Sequence, residues 1–245
     1  MKTLVVIPTY NERENVESVV ASILAATPSG VALLIVDDGS PDGTGELADV
    51  LNVQYPDRVF VLHRKGKLGL GSAYLAGFRY GLERGFEAVC EMDADGSHDP
   101  SALPRLIALV EQGADLAIGS RRVPGGNVVG WGPHRHFMSG GAMTVARLAL
   151  GLKTRDVTSG FRCYRADLAA ELLAQPIASN GYAFQEETVF YAERLGFKVV
   201  ETPITFRDRM HGKSKLTWRE VMQFFSIIGS LRARQVKRKT PPFRA

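Results

Sequence analysis

The sequence predicts an α/β fold built on a doubly wound, mostly parallel sheet, followed by C-terminal helices. Three observations point there. Five short apolar runs, at residues 4–7, 31–36, 59–62, 88–92 and 116–118, have the length and the Val, Ile and Leu content of strands buried on both faces. Segments with helical spacing of apolar residues separate them, and strand–helix alternation at this spacing implies parallel pairing. Four of the runs pass into polar residues: Pro8-Thr9-Tyr10-Asn11-Glu12, Asp37-Asp38, Asp93-Ala94-Asp95 and Arg121. Ligands on such sheets gather at the carboxyl ends of the strands, so these turns predict a nucleotide-type site along one edge.

Each element has its local reason. The first strand stops at Pro8, and Val16, Val19, Val20, Ile23 and Leu24 then mark a helix. The second strand ends in Asp37-Asp38-Gly39-Ser40, with a helix from about residue 43. After the third, residues 66–71 read as a flexible glycine-rich turn near a ligand and residues 73–82 as a helix. Leu103, Leu106, Ile107 and Val110 mark a helix between the fourth and fifth strands. Beyond Arg121 the rhythm changes. Residues 121–132 form a Gly-rich loop carrying Trp131, residues 137–150 a long helix, and residues 156–162 a polar turn entering a short strand. Gln185-Glu186-Glu187 open a helix to Leu195, where carboxylates suit the helix dipole. Residues 199–206 read as a last strand, 207–215 as a mobile loop and 218–231 as an amphipathic helix.

The chemistry centres on Asp93 and Asp95. Two Asp at i and i+2 on an extended strand end face the same side. There they can hold one hard divalent cation and leave positions for water and phosphate oxygens; the bland alternative is an Asx-rich turn. Asp37 and Asp38 can accept hydrogen bonds from a ribose or base edge. Two other nucleotide folds are excluded, because the chain has no Gly-x-x-x-x-Gly-Lys-Ser/Thr and no Gly-x-Gly-x-x-Gly after its first strand. His134 and His136 have no Cys or third His nearby, so zinc is not expected. His98 reads as a satisfied turn residue.

At 245 residues with 45% hydrophobic and 23% charged residues, the composition is that of a soluble globular protein. Charge is uneven. Residues 1–120 hold 9 Lys and Arg against 17 Asp and Glu, a balance of −8, and the remainder stands at +12. This suggests a metal site facing an anion-binding region, although part of the excess lies after Leu231. Cys90 and Cys163 are the only cysteines, which fits a reducing compartment and no disulfide framework. A strand beginning at residue 2 leaves no room for a signal peptide, and no apolar run is long enough to span a bilayer.

Val-Ile-Pro-Thr-Tyr-Asn-Glu, Val-Asp-Asp-Gly-Ser-Pro-Asp-Gly-Thr, Met-Asp-Ala-Asp and Gly-Ser-Arg together resemble the family-two inverting glycosyltransferases of the GT-A fold. The turn at residues 156–162, Gly181-Tyr182-Ala183-Phe184-Gln185 and residues 206–216 are similar to the dolichol- or polyprenol-phosphate mannose synthase branch. The resemblance implies mannose transfer from GDP-mannose to a polyprenyl (dolichyl) phosphate. It implies nucleotide binding at Pro8, Tyr10, Glu12 and Asp38, beside Asp37, which the turn itself offers as an acceptor. It implies a divalent cation, Mg²⁺ or Mn²⁺, at Asp93 and Asp95. This chain departs from many relatives in having Gly96-Ser97 where they have Leu-Gln, and the Ser97 hydroxyl can serve as a third ligand. Phosphate contacts are implied for Arg121, Arg135, Arg209 and Lys215.

The expected partners are a sugar nucleotide, a polyprenyl phosphate lipid, a membrane surface and a membrane-embedded protein, with no nucleic acid. The expected place is the cytoplasmic face of a membrane, held peripherally. The expected organisation is a GT-A domain over 1–216 (1–120 for nucleotide sugar and metal, 121–216 for acceptor), a helix over 217–231 and a basic tail over 232–245. Two alternatives stay open: another donor such as UDP-glucose with the same lipid, and a non-catalytic sugar-nucleotide-binding subunit.

Overall fold

In a computed structural model, the described residues are 1–179, 181, 183–208, 226–234 and 236–239; the side chains of residues 133, 135 and 137 lie outside the description. The five apolar runs form β1 (Thr3–Thr9), β2 (Val31–Asp37), β3 (Val59–His63), β4 (Ala88–Glu91) and β5 (Leu116–Ser120). The helices between them are α1 (Arg13–Ala26), α2 (Thr44–Gln54), α3 (Leu70–Glu83) and α4 (Leu103–Glu111). The chain continues through β6 (Asn127–Val129), α5 (Pro133–Leu150), β7 (Arg162–Arg165), α6 (Ala166–Ala174), α7 (Ala183–Arg194), β8 (Val199–Pro203) and β9 (Thr205–Arg207).

The main sheet has seven strands in the order β3-β2-β1-β4-β7-β5-β8. Every neighbouring pair is parallel except those made by β7, which runs antiparallel between β4 and β5. The sequence predicts a short strand at β7 but not its direction. Alternate residues serve opposite faces, as a doubly covered sheet requires. Leu4, Val6, Leu34 and Val36 pack toward α3, α6 and α7. Val5, Ile7, Leu33 and Ile35 pack toward α1, α2 and α4.

Three local expectations need correction. The expected strand over 199–206 is two strands, because Ile204 turns its side chain into the core and gives its N–H to Ser120 O at 3.0 Å. The second piece, β9, pairs in parallel with β6, which lies inside the expected Gly-rich loop. Gly71 is not part of a flexible turn. It lies inside α3, and a Cβ there would sit 2.5 Å from Ser179 O and 2.8 Å from the Phe184 ring. Gly77, two turns on, lets α3 press onto β1, since a Cβ there would meet Val6 Cγ1 at 2.5 Å. Glycine is used at both places for close approach.

The described C-terminal residues rest on the domain. Ile228 and Leu231 are buried in the core layer of α3 and α7. Arg234 Nη1 donates to Glu187 Oε1 (2.9 Å), Tyr191 Oη (2.7 Å) and Pro176 O (2.9 Å). Arg238 lies 4.5 Å from the Phe197 ring centroid, and Lys239 N–H donates to Glu171 Oε1 at 2.8 Å. These three cations of the basic tail are thus turned toward α6, α7 and the turn after α7. Among the described residues no helix is long and apolar enough to cross a membrane.

Candidate active site

The four polar turns do meet along the carboxyl edge of the parallel strands. Asp37 and Asp38 close β2 and are both buried. Asp37 accepts from Thr9 Oγ1 (3.1 Å), Ser40 N (3.1 Å) and Ser40 Oγ (2.5 Å), which ties the β1 and β2 turns together. Asp38 accepts from Arg64 Nε at 2.5 Å through Oδ1 and from Leu68 N at 3.1 Å through Oδ2. Arg64, which the sequence reading does not single out, thus anchors the loop before α3 to the turn after β2. Tyr10 is half exposed, with Lys67 Nζ 4.5 Å from its ring centroid. Pro8 ends the β1 core run, and Glu12 caps the turn by donating its N–H to Thr44 Oγ1 at 3.0 Å.

Asp93 and Asp95 lie past the end of β4, not on it. Pairing with β1 stops at Val6–Glu91, and the last bond of the register is Met92 N–H to Val6 O. The two carboxylates are therefore presented by a turn, closed by Ser97 N–H donating to Asp95 Oδ1 at 3.0 Å. Asp93 Oδ1 accepts from Tyr74 Oη at 3.0 Å, and the Asp93 N–H donates to His98 Nδ1 at 3.3 Å. His98 is buried and stacks on Phe161 with ring centroids 4.9 Å apart. Burial lowers its pKa, outweighing the pull of Asp93 and Asp95, so the ring is neutral and acts as an acceptor. It is the satisfied turn residue the sequence suggested.

A divalent cation fits this donor set. Two carboxylates, with further positions for phosphate oxygens, are what a hard cation takes in sugar-nucleotide chemistry. Ser97 adds a specific sign: its Oγ is buried and has no hydrogen-bond partner among the described residues. A native structure normally satisfies such a hydroxyl, and a bound cation would do so. Among the described residues no cluster of three or more His, Cys, Asp or Glu forms a metal cage by itself. His134 is exposed and the His136 ring packs on Trp131 at 5.6 Å.

Beneath the paired-Asp turn lies a buried polar layer that sequence reasoning passes over. Arg162, fully buried on β7, donates to Ser159 O (2.6 Å), Val157 O (2.8 Å), Gln185 O (2.7 Å) and Thr188 Oγ1 (2.8 Å). Gln185 Nε2 donates to Glu91 Oε2 at 2.9 Å. Burial pushes Glu91 up to about 7, partly offset by Arg162, and pushes Glu186 up to about 8. The acids opening α7, Glu186 and Glu187, are thus buried. Polarity within an apolar run, at Glu91 and Arg162, was the available signal.

Arg121 follows β5 as expected, but Asp156 holds its side chain. Arg121 Nε and Nη2 donate to the two Asp156 oxygens at 2.8 and 2.7 Å, and Nη2 also reaches Thr158 Oγ1 at 2.8 Å. Arg135 belongs to the first turn of α5, and its side chain lies outside the description; Arg209 and Lys215 lie outside the described residues altogether.

A strand order with β7 reversed between β4 and β5, polar turns gathered at the carboxyl edge of the parallel strands, and a paired-Asp turn among them define a glycosyltransferase of the GT-A type. Residues 4–173 match the Glycosyl transferase family 2 domain, and the chain belongs to that family. It is 52% identical over 216 residues to the polyprenol monophosphomannose synthase of Mycolicibacterium smegmatis, covering 88% of this chain and 81% of the relative. It is 49% identical over 217 residues to the undecaprenyl-phosphate mannosyltransferase of Micrococcus luteus, covering 89% and 88%. Among solved structures, glucosyl-3-phosphoglycerate synthase from Mycobacterium tuberculosis, in complex with Mn²⁺, UDP-glucose and phosphoglyceric acid, shares the fold. The TM-score is 0.69 at 22% identity, over 94% of this chain and 79% of that one.

Proposed function

We propose that this protein transfers mannose, with inversion, from GDP-mannose to a polyprenyl phosphate at the cytoplasmic face of a membrane. The observation that carries the reading is the Asp93/Asp95 turn with the buried Ser97 hydroxyl beside it, which has no partner among the described residues, in a chain about half identical to two lipid-phosphate mannosyltransferases. Asp93, Asp95 and Ser97 would hold Mg²⁺ or Mn²⁺. When bound, the cation neutralises charge on the departing diphosphate. Pro8, Tyr10, Glu12, Asp37 and Asp38 frame the nucleoside.

The acceptor needs no dedicated base. A phosphate monoester has a second pKa of about 6 and is largely ionised at neutral pH. Its oxygen forms the new bond to the anomeric carbon as the bond from that carbon to the GDP oxygen breaks. This accords with His98, whose Nδ1 is already taken up as acceptor of the Asp93 N–H. Arg135, Arg209 and Lys215 are assigned to the phosphates, where the planar fork of arginine suits bidentate contact. Arg121, fixed by Asp156, contributes its charge from a set position.

An isoprenoid acceptor requires approach to a bilayer. Exposed Met138 (52%), Val145 (46%) and Leu148 (79%) lie on α5, the helix that carries Arg135 at its start. Their spacing of seven and three residues places them on one helical face, which supports contact with lipid there.

The test is transfer of radiolabel into a lipid extract from GDP-mannose and from UDP-glucose, with polyprenyl phosphate as acceptor. GDP-mannose should give the labelled lipid. Label from UDP-glucose alone would reassign the donor, and none from either would leave a binding subunit.

A further inference from the structure

Tyr74 comes from α3, is fully buried, and ends on Asp93: its hydroxyl lies 3.0 Å from Oδ1. The ring is held from two sides. It stacks on Phe184 of α7, with centroids 6.0 Å apart and planes at 17°. Its helix cannot retreat, because α3 meets α7 through Gly71 and β1 through Gly77, with no room for even a methyl group at either contact. Asp93 lies in a turn that no strand pairing steadies. Its neighbours there include the His98 ring, which accepts its N–H, and Gly160, where an added Cβ would stand 3.7 Å from both carboxylate oxygens.

We infer that Tyr74 is a positioning residue for the metal site: its hydroxyl orients the Asp93 carboxylate toward the cation. The inference rests on the metal-dependent reading given above. The direction of the bond follows from the groups: an ionised carboxylate has only acceptor oxygens, so the Tyr74 hydroxyl donates and Asp93 Oδ1 accepts. Outer partners of this kind fix the orientation of a metal ligand, and losing one typically weakens metal binding by about 10- to 100-fold. Tyr74 also ties the metal turn to the helix whose preceding loop, through Arg64 and Leu68, holds Asp38 at the nucleotide edge.

A tyrosine buried for packing alone would also seek a partner for its hydroxyl, so the test must separate packing from positioning. Mn²⁺ binding to the full chain in the presence of GDP, followed by the electron-paramagnetic signal of free Mn²⁺, provides the readout. Tyr74→Phe keeps the ring against Phe184 and removes only the hydroxyl. It should raise the Mn²⁺ Kd about 10-fold, with the melting temperature of the metal-free protein within about 3 °C of wild type. Tyr74→Met removes the ring too and should lower the melting temperature, with no greater loss of Mn²⁺ affinity than Tyr74→Phe. Added to Asp93→Asn, Tyr74→Phe should cause no further loss. Unchanged Mn²⁺ affinity in Tyr74→Phe overturns the inference, as does affinity that follows melting temperature across the two Tyr74 variants. An Asp93→Asn protein that binds Mn²⁺ like wild type would instead bring down the metal reading itself, and the inference with it.

Discussion

Arg121 and Asp156 form a two-pronged ion pair, Nε to Oδ2 at 2.8 Å and Nη2 to Oδ1 at 2.7 Å, and the Arg121 backbone N–H adds a third bond to Oδ2 at 2.9 Å. Both side chains are almost fully buried, at 8% and 0% exposure. The guanidinium holds Asp156 below its ordinary carboxylate value even though burial, the larger single influence, pushes the other way. An arginine whose position after β5 suggests a phosphate contact is therefore also a structural joint between β5 and the turn before β7.

Asp156→Asn should cost on the order of 3 kcal/mol at pH 7, since it leaves a buried guanidinium without its counter-charge. The depressed pKa fixes the sign of the pH dependence. The pair's contribution is present above the unfolded carboxylate value and is lost as pH falls through the lower folded one. Urea unfolding at pH 7 and pH 3.5 should show the gap between wild type and variant narrowing toward acid. A gap that widens toward acid would contradict the pairing.

Asp95→Ala should lose turnover by more than about 100-fold while melting within about 3 °C of wild type, because the Asp95 side chain is only partly buried and is not part of the apolar core. Chelator should abolish transfer, and added Mg²⁺ or Mn²⁺ should restore it. Ser97→Ala separates ligand from bystander. It removes a buried hydroxyl with no partner among the described residues, so stability should hold or rise slightly, while the metal concentration for half-maximal rate rises severalfold. Full activity in excess EDTA would rule out the cation.

Arg135→Lys and Arg209→Lys preserve charge but lose the bidentate fork. Each should reduce kcat/KM for the lipid acceptor by about 10-fold, equivalent to about 1.4 kcal/mol, with sugar-nucleotide binding much less affected. Wild-type kinetics in both variants would show that neither guanidinium grips phosphate.

Glu186 predicts a loss of stability on the alkaline side. Its folded pKa of about 8 exceeds the ordinary value of 4.5, with burial as the main cause and Arg162 opposing. The folded state binds the extra proton between these values, so stability falls as pH rises through that window. Glu186→Gln should flatten the decline, and at pH 8.5 it should melt about 5 °C above wild type. Melting curves from pH 5 to 9 would measure this, and parallel profiles for the two proteins would refute it.

Arg234→Ala should destabilise the protein by about 2 kcal/mol, because Glu187 is buried and loses its one cationic partner among the described residues. The other Glu187 oxygen accepts from Ala178 N, Ser179 N and Ser179 Oγ. The amide of Ser179 should therefore exchange faster in the variant, as seen by hydrogen–deuterium exchange. Exchange at Ser179 unchanged from wild type would show that Arg234 does not brace that loop.

Much was legible in the sequence because it is local. Uninterrupted apolar runs at 4–7, 31–36 and 116–118 had to be buried on both faces, and Asp38, Asp93 and Asp95 follow such runs directly, so their gathering on one edge was implied by parallel winding. What the tertiary structure alone decided depends on partners far apart in the chain. The reversal of β7 comes from its insertion between β4 and β5 after the long α5 excursion. Ile204 breaks the expected last strand because its side chain fills the space above Gly119, 85 positions earlier. Tyr74 meets Asp93 across 19 positions, Arg121 meets Asp156 across 35 and Arg234 meets Glu187 across 47. A pattern of neighbours can say that a residue will be buried, but a buried charge or hydroxyl needs a particular partner, and only the packing of separate elements supplies it.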